Sequence, residues 1–339
     1  MKEISIIGID LAKRVFQVHG IDAKHQSVVQ KKLPRSEVLK WFAELGPCLV
    51  GMEACATAHY WARELSKLGH EVRIIPPSYV KPYVRRQKND RADAAAICEA
   101  VSRPEMRFTT AKTIDQQALQ TLHRARELLI RQYTQTGNAV RAHLSEFGWI
   151  FPQGNAGLSQ AIEAVQTTKD ADLPDLAQQV LCSLVANLAH LKQQISILDK
   201  QMVAWHKAQT DSLRLATIPG IGPVTASAIL AAIGDGKQFK SGREFAAWVG
   251  LVPRQNSSGG KESLGHITKR GNMYIRRLLV SGATTQLRGK RGGNAPGGQW
   301  FEDLLRRKPT RVATVALANK MARITWAILT KGDSYRSFA

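Results

Sequence analysis

Four acidic residues stand where buried or helical elements begin and end. Asp10 closes the apolar run "ISIIGID" (4–10) and Glu53 closes "CLVGME" (48–53), while Asp90 and Asp93 open the helical stretch of "KNDRADAAAI" (88–97). Acids at the carboxyl ends of neighbouring buried strands face a shared crevice, and two acids at i and i+3 lie on one helical face. Four carboxylates brought together repel one another, and divalent cations relieve that repulsion. An all-oxygen ligand set selects Mg2+ or Mn2+. Two such ions about 3.5–4 Å apart clamp a phosphate and stabilise both the attacking and the departing oxygen. Arg85, Arg86, Lys88 and Arg91 surround the last two acids and are candidates to hold the polyanion whose phosphate is cut. Each acid also has a plain reading: Asp10 as a turn cap, Glu53 as an exposed strand end, Asp90 as a helix N-cap.

The elements that must position them are legible in the pattern. "ISIIGID", "VFQVHGID" and "SVVQKKL" read as three strands in a meander. "SEVLKWFAEL" is a helix with a serine cap, "CLVGME" a buried strand, "AHYWARELSKLG" an amphipathic helix closed by Gly69, and "EVRIIPP" a strand stopped by prolines. A meander followed by strand–helix alternation predicts a mixed α/β layer over residues 1–113, with a helix at 90–102 packed on it. Leu181, Leu184, Leu188, Leu191, Ile195, Leu198, Met202 and Trp205 alternate spacings of three and four, the heptad seam of a coiled coil. A looser version runs through about 115–147, and the loop "FPQGNAG" (151–157) separates the two. Residues 114–210 are thus expected to be a helical, coiled-coil middle, as an antiparallel hairpin within the chain or as a dimerisation stalk.

Residues 211–339 are expected to be mainly α. "IPGIGPVTASAILAAIGD" (218–235) looks like a helix-hairpin-helix element, whose backbone N–H groups hold a phosphate at a helix start. Tight packing is the plainer reading of its glycines, and the basic charge of the chain favours the phosphate contact. "NSSGGK" lies in a polar loop between an apolar helix and a basic one; "RGKRGGNAPGG" (288–298) reads as a mobile basic loop, and the tail is helical from about Pro309 to Leu329.

With 48 Lys and Arg against 27 acids, the net charge of +21 costs self-repulsion that folding does not need and points to a polyanionic partner. Nucleic acid comes first. A membrane is disfavoured, because no run of about 18 uninterrupted apolar residues exists and the N-terminus lacks a secretory pattern. Cys48, Cys55, Cys98 and Cys182 form no CxxC pair, which fits a reducing cytoplasm rather than a zinc knuckle or disulfide framework.

"IGIDLAK", "GMEACATAHYWA" and "KNDRADAAAI" resemble, in that order, the DEDD-type transposases of bacterial insertion sequences. "IPGIGPVTASAILAAIGD" followed by "FAAWVGLVPRQNSSGGKESLGHITKRGNMYIRRLL" is similar to the C-terminal half of the same family, so the likeness covers roughly 1–150 and 213–285. The resemblance implies a RuvC-like N-terminal domain of ribonuclease H fold, with Mg2+ on Asp10, Glu53, Asp90 and Asp93. It also implies a C-terminal transposase domain with a nucleophilic serine. In "NSSGGK" the serine preceding glycine is Ser258, with Ser257 as its alternative. His266, eight residues on, reads as structural, and Lys261, Lys269, Arg270, Arg276 and Arg277 are natural phosphate ligands. Further implications are a bridge RNA pairing with donor and target DNA, a dimer or tetramer, and a site completed by both domains. The serine would attack a phosphodiester and pass the linked strand on without ATP, in keeping with the lack of a GxxxxGK[ST] loop.

Three other readings share parts of this pattern. A RuvC-like junction endonuclease would use the acids but cleave with water and dispense with Ser258. A sugar kinase of the actin-like superfamily also begins with a strand ending "GID", but a pI of about 10.1 and the missing second phosphate loop oppose it. A purely architectural DNA-binding protein would need none of the acids.

Overall fold

The structure, a computed structural model, describes residues 3–84, 89–167, 173–261, 263–288, 296 and 298–336. The expected basic loop at 288–298 falls almost wholly outside them. By contacts the chain divides into two units, Met1–Ile114 and Asp115–Ala339.

The first unit is a five-stranded mixed sheet. Its strands are β1 (Ile6–Asp10), β2 (Val15–Ile21), β3 (Ser27–Pro34), β4 (Leu49–Glu53) and β5 (Glu71–Ile75), in the spatial order β3-β2-β1-β4-β5. β1, β2 and β3 pair antiparallel as the predicted meander, whereas β4 runs parallel to β1 and β5 parallel to β4. Alternate residues serve opposite faces. One face carries Ile7, Ile9, Val18, Val50, Met52 and Ile74. It is covered by α1 (Val38–Ala43) through Val38 and Phe42, and by α2 (Ala58–Lys67) through Trp61 and Leu65. α1 is capped at Glu37 without a side-chain bond, so the expected serine cap is not used.

After β5 come the short α3 (Pro77–Val80) and then α4 (Asp90–Val101), which lies on the other face. α4 approaches closely because Gly8 and Gly51 present no side chains to it. A Cβ on Gly8 would stand 2.2 Å from the Ala94 carbonyl oxygen, and one on Gly51 would stand 2.7 Å from the Val101 side chain.

Among its described residues the second unit is helical apart from one ribbon. α5 (Ile114–Ser145), α6 (Asn155–Thr167) and α7 (Asp175–Ala208) share a core of Val140, Leu144, Leu158, Val165, Leu181 and Leu188. α6 is a departure from expectation: the loop at 151–157 gives way at once to a helix whose Leu158, Ala161 and Val165 fall on one face. The upper part of the α7 seam is therefore buried inside the chain.

α8 (Thr210–Ala216) and α9 (Pro223–Ile233) form the anticipated helical hairpin. Gly220 in its turn serves packing, since a Cβ there would meet the Gly282 carbonyl oxygen at 2.7 Å, while Gly222 faces open space. α10 (Gly242–Val249), the ribbon β6 (Pro253–Gln255) and β7 (Leu264–Ile267), α11 (Met273–Arg288), α12 (Gln299–Arg307) and α13 (Thr310–Lys331) complete it around Phe245, Ile275, Leu279, Phe301, Leu317 and Met321. The "loop" expected around "NSSGGK" is this antiparallel ribbon. α13 is long and apolar enough to cross a bilayer by composition, yet Leu317, Met321, Ala322 and Ile328 pack it into this core.

Candidate active site

Register and parity decide where the acids point. Ile9 of β1 pairs with Met52 of β4, so Asp10 and Glu53 are the next residues on adjacent parallel strands. Gly8 and Gly51 face α4. Two residues further along, Asp10 and Glu53 belong to that same face. Both are half-buried and both are engaged in polar interactions.

α4 begins at this edge. Its Cys98 thiol donates to the Ile6 carbonyl at 3.9 Å, and Ala94 lies over Gly8. Its first residues, Asn89, Asp90 and Arg91, line a cavity of about 720 Å3 with Gln17, the cross-strand partner of Asp10. The N-cap is Asn89, whose side chain accepts from the Ala92 N–H at 2.9 Å. Asp90 and Asp93 are thereby released from capping and sit in the first turn, where the helix dipole favours negative charge.

The donors are all oxygens, a chemistry that fits a hard cation. Among the described residues, however, no three His, Cys, Asp or Glu side chains are drawn close enough to hold an ion. Arg91 is exposed beside Asp90; Arg85, Arg86 and Lys88 lie outside the described residues. The same edge holds residues the sequence did not single out. Gln17, Gln30 and Lys32 line the cavity, and Gln17 Oε1 and His19 Nδ1 are buried without a partner among the described residues. Burial first, and Arg91 second, push the His19 imidazole down, so it resists protonation. Their signal in the sequence was the polar alternation in "VFQVHGI" and "SVVQKKLP", where the pairs Gln17–Lys32 and His19–Gln30 put all four side chains on one face.

In the second unit the two candidate serines have different surroundings. The ribbon closes through a bridge between Ser258 and Lys261, with the Lys261 N–H donating to the Ser258 carbonyl at 3.1 Å. Gly259 (φ 56°) and Gly260 (φ 76°) make the two-residue turn, both in the left-handed region that a hairpin of this kind demands. Ser257 Oγ accepts from the Ser263 N–H at 3.3 Å and so belongs to the ribbon's own bonding. Ser258 is exposed at the tip, and its hydroxyl makes no hydrogen bond among the described residues.

The basic candidates also separate. Lys261, Lys269 and Arg270 are exposed. Arg276 donates to the Val249 carbonyl at 2.7 Å, and Arg277 pairs with Glu127 at 2.7 Å while lying over the Tyr274 ring. His266 is exposed on β7.

Known proteins match both units. Residues 7–149 fit the DEDD transposase family of IS110, and residues 212–295 fit the transposase IS116/IS110/IS902 family. A probable family 20 transposase of Pseudomonas aeruginosa is 48% identical over 98% of this chain and 99% of its own length. The chain belongs to the IS110-type transposases. The transposase for insertion sequence element IS1328 of Yersinia enterocolitica is 40% identical over 99% of each chain. A more distant relative, a pilin gene-inverting protein of Moraxella bovis, is 25% identical over 81% of this chain and 78% of its own. The transposase is accordingly a DNA-recombining enzyme, and DNA is its partner.

Proposed function

We propose that the transposase cuts and rejoins DNA strands through a serine-linked intermediate, with Ser258 as nucleophile and Asp10, Glu53, Asp90 and Asp93 as the ligands of Mg2+ or Mn2+. What carries it is the Ser258 hydroxyl, exposed at the apex of a glycine turn, whereas the Ser257 hydroxyl is spent on the Ser263 N–H. The order β3-β2-β1-β4-β5, with acids at the ends of the two central parallel strands, supports a RuvC-like domain of ribonuclease H fold.

A cation on the acids would offset their mutual repulsion and draw charge from a phosphate oxygen. The residues do the rest. Ser258 Oγ loses its proton and forms an ester bond to phosphorus, while one P–O bond of the strand breaks and its oxygen leaves as a hydroxyl after taking up a proton. The hydroxyl of a second strand then reverses the step, frees the serine and conserves one phosphodiester throughout. Lys261, Lys269 and Arg270 neutralise neighbouring phosphates. A bridge RNA that pairs with donor and target DNA would direct the choice of strands, in a dimer or tetramer of the chain held through the α5–α7 helices and their heptad seam.

The test is a denaturing gel of the protein with element-end DNA and Mg2+. The native chain and Ser257→Ala should give a protein–DNA adduct, Ser258→Ala none, and chelation of the metal should abolish all cutting. Cutting that survives Ser258→Ala without an adduct overturns the proposal in favour of a water-using junction endonuclease. RNA bound to the purified chain, recovered and sequenced, tests the guide.

A further inference from the structure

A cavity of about 1560 Å3 lies within the second unit. Its floor is formed on α13 by Val312, Val315, Ala316, Ile324 and Ala327, of which Val315 and Ile324 also touch the core. The β6–β7 ribbon, the start of α10 and Trp300 of α12 make its walls. Arg243, Lys269, Arg311, Lys320 and Arg323 rim it, and no carboxylate among the described residues lines it. From Arg311 to Ala327 the floor runs roughly 24 Å along the helix, at ~1.5 Å per residue.

An apolar floor inside a basic rim is complementary to a ligand with flat apolar faces and an anionic edge. Duplex DNA offers the edge only, because its bases are stacked on each other and its phosphates and sugars face outward. Unpaired nucleotides offer both, and aromatic platforms flanked by cations are how proteins take them. Trp300 is such a platform: it is 38% exposed, and the Lys320 ammonium lies 4.4 Å from its ring centroid. Burial and the neighbouring Arg323 push the Lys320 ammonium down, so an anion here gains by relieving crowded positive charge. A second copy of this chain is a poor occupant, since its net charge of +21 would set cation against cation.

We propose that this groove holds an unpaired segment of DNA, its phosphates on the basic rim and one base against Trp300. The choice of DNA over RNA rests on the reading of Ser258. The ribbon wall that flanks the groove at Pro253 leads to Ser258 five residues on, roughly 17 Å at ~3.3 Å per residue. A strand in the groove is thus the one delivered to the serine. Unwound DNA, rather than an intact helix, is then what the second unit grips.

The experiment uses the full chain carrying Ser258→Ala in the presence of chelator, so that no chemistry intervenes. Anisotropy of labelled oligothymidylate, its RNA counterpart and a short duplex is compared at one salt concentration. Unpaired DNA should bind most tightly. Trp300→Ala should weaken it roughly tenfold, the loss of one stacked base, while leaving duplex affinity and the melting curve unchanged. Trp300→Phe should restore most of the loss. Equal loss on duplex, binding of RNA at least as tight as that of DNA, or displacement by polyglutamate as effective as by oligothymidylate each overturns the proposal, the last in favour of an acidic peptide. An absent adduct beside intact single-strand binding sinks the serine alone, whereas an intact adduct beside failed binding sinks only the groove.

Discussion

His123 shows how one buried side chain can tie three helices and set an acid limit on stability. It is 3% exposed on α5, with Nδ1 3.1 Å from the Tyr274 hydroxyl of α11 and Nε2 3.1 Å from Ser227 Oγ of α9. Ser227 donates its own proton to the Pro223 carbonyl at 2.6 Å, so the imidazole donates from Nε2 and accepts at Nδ1 from Tyr274. Protonation would turn Nδ1 into a donor and break the bond it accepts from the Tyr274 hydroxyl. Burial first, then Arg126, hold the imidazole down to about 4, against 6.5 for the free group. Because the folded value is the lower one, the unfolded chain binds the extra proton. Stability is full above about pH 6.5 and is lost as pH falls toward 4, by up to roughly 3 kcal/mol. Thermal melts at neutral and mildly acid pH should reveal that slope, and His123→Gln should flatten it. At the other site, Asn89→Ala should lower stability by about 1 kcal/mol through the lost cap. Asp90→Asn should instead spare the melting temperature and abolish strand cutting, a dissociation that a capping role for Asp90 would not produce.

Among the elements, α4 and the ribbon carry the argument. α4 reaches the sheet only because Gly8 and Gly51 lack side chains. Gly8→Ala must push the Ala94 carbonyl away, which should cost about 1–3 kcal/mol as overpacking and shift the start of α4 off the acid edge. The expected result is a folded protein with a lowered melting temperature and no strand transfer; an unaffected enzyme would show that α4 does not position the carboxylates. In the ribbon the two glycines impose the turn, the turn imposes the register, and the register decides which serine hydroxyl is left over.

Over the whole molecule the charge of +21 sets the electrostatics of binding. DNA affinity should fall steeply with salt, and each phosphate contact removed should lower the logarithmic slope by about 0.9. The partners within the fold say which residues to remove. Arg270→Ala, at an exposed guanidinium, should reduce the slope, whereas Arg277→Ala should leave it unchanged, since Glu127 already neutralises that charge.

Contiguous pattern was enough to place many elements of both units. Apolar and alternating runs bounded by turn residues marked the five strands, local sequence marked α2, α4, α7 and α13 as helices, and the acids stood at element ends before any tertiary contact was known. The absence of punctuation hid the rest: α6 follows its loop at once, and the ribbon's polar strands carry no apolar alternation to betray them. Tertiary structure alone decided three matters: that Asp10 and Glu53 share the face beneath α4, that the hydroxyl of Ser257 rather than that of Ser258 bonds within the ribbon, and that α13 leaves part of its surface open under a basic rim. The division has a physical cause. Conformational preference and amphipathicity are properties of neighbours in sequence, whereas register, close approach and the coverage of a face are settled by residues tens to hundreds of positions apart, whose pairing no local pattern encodes.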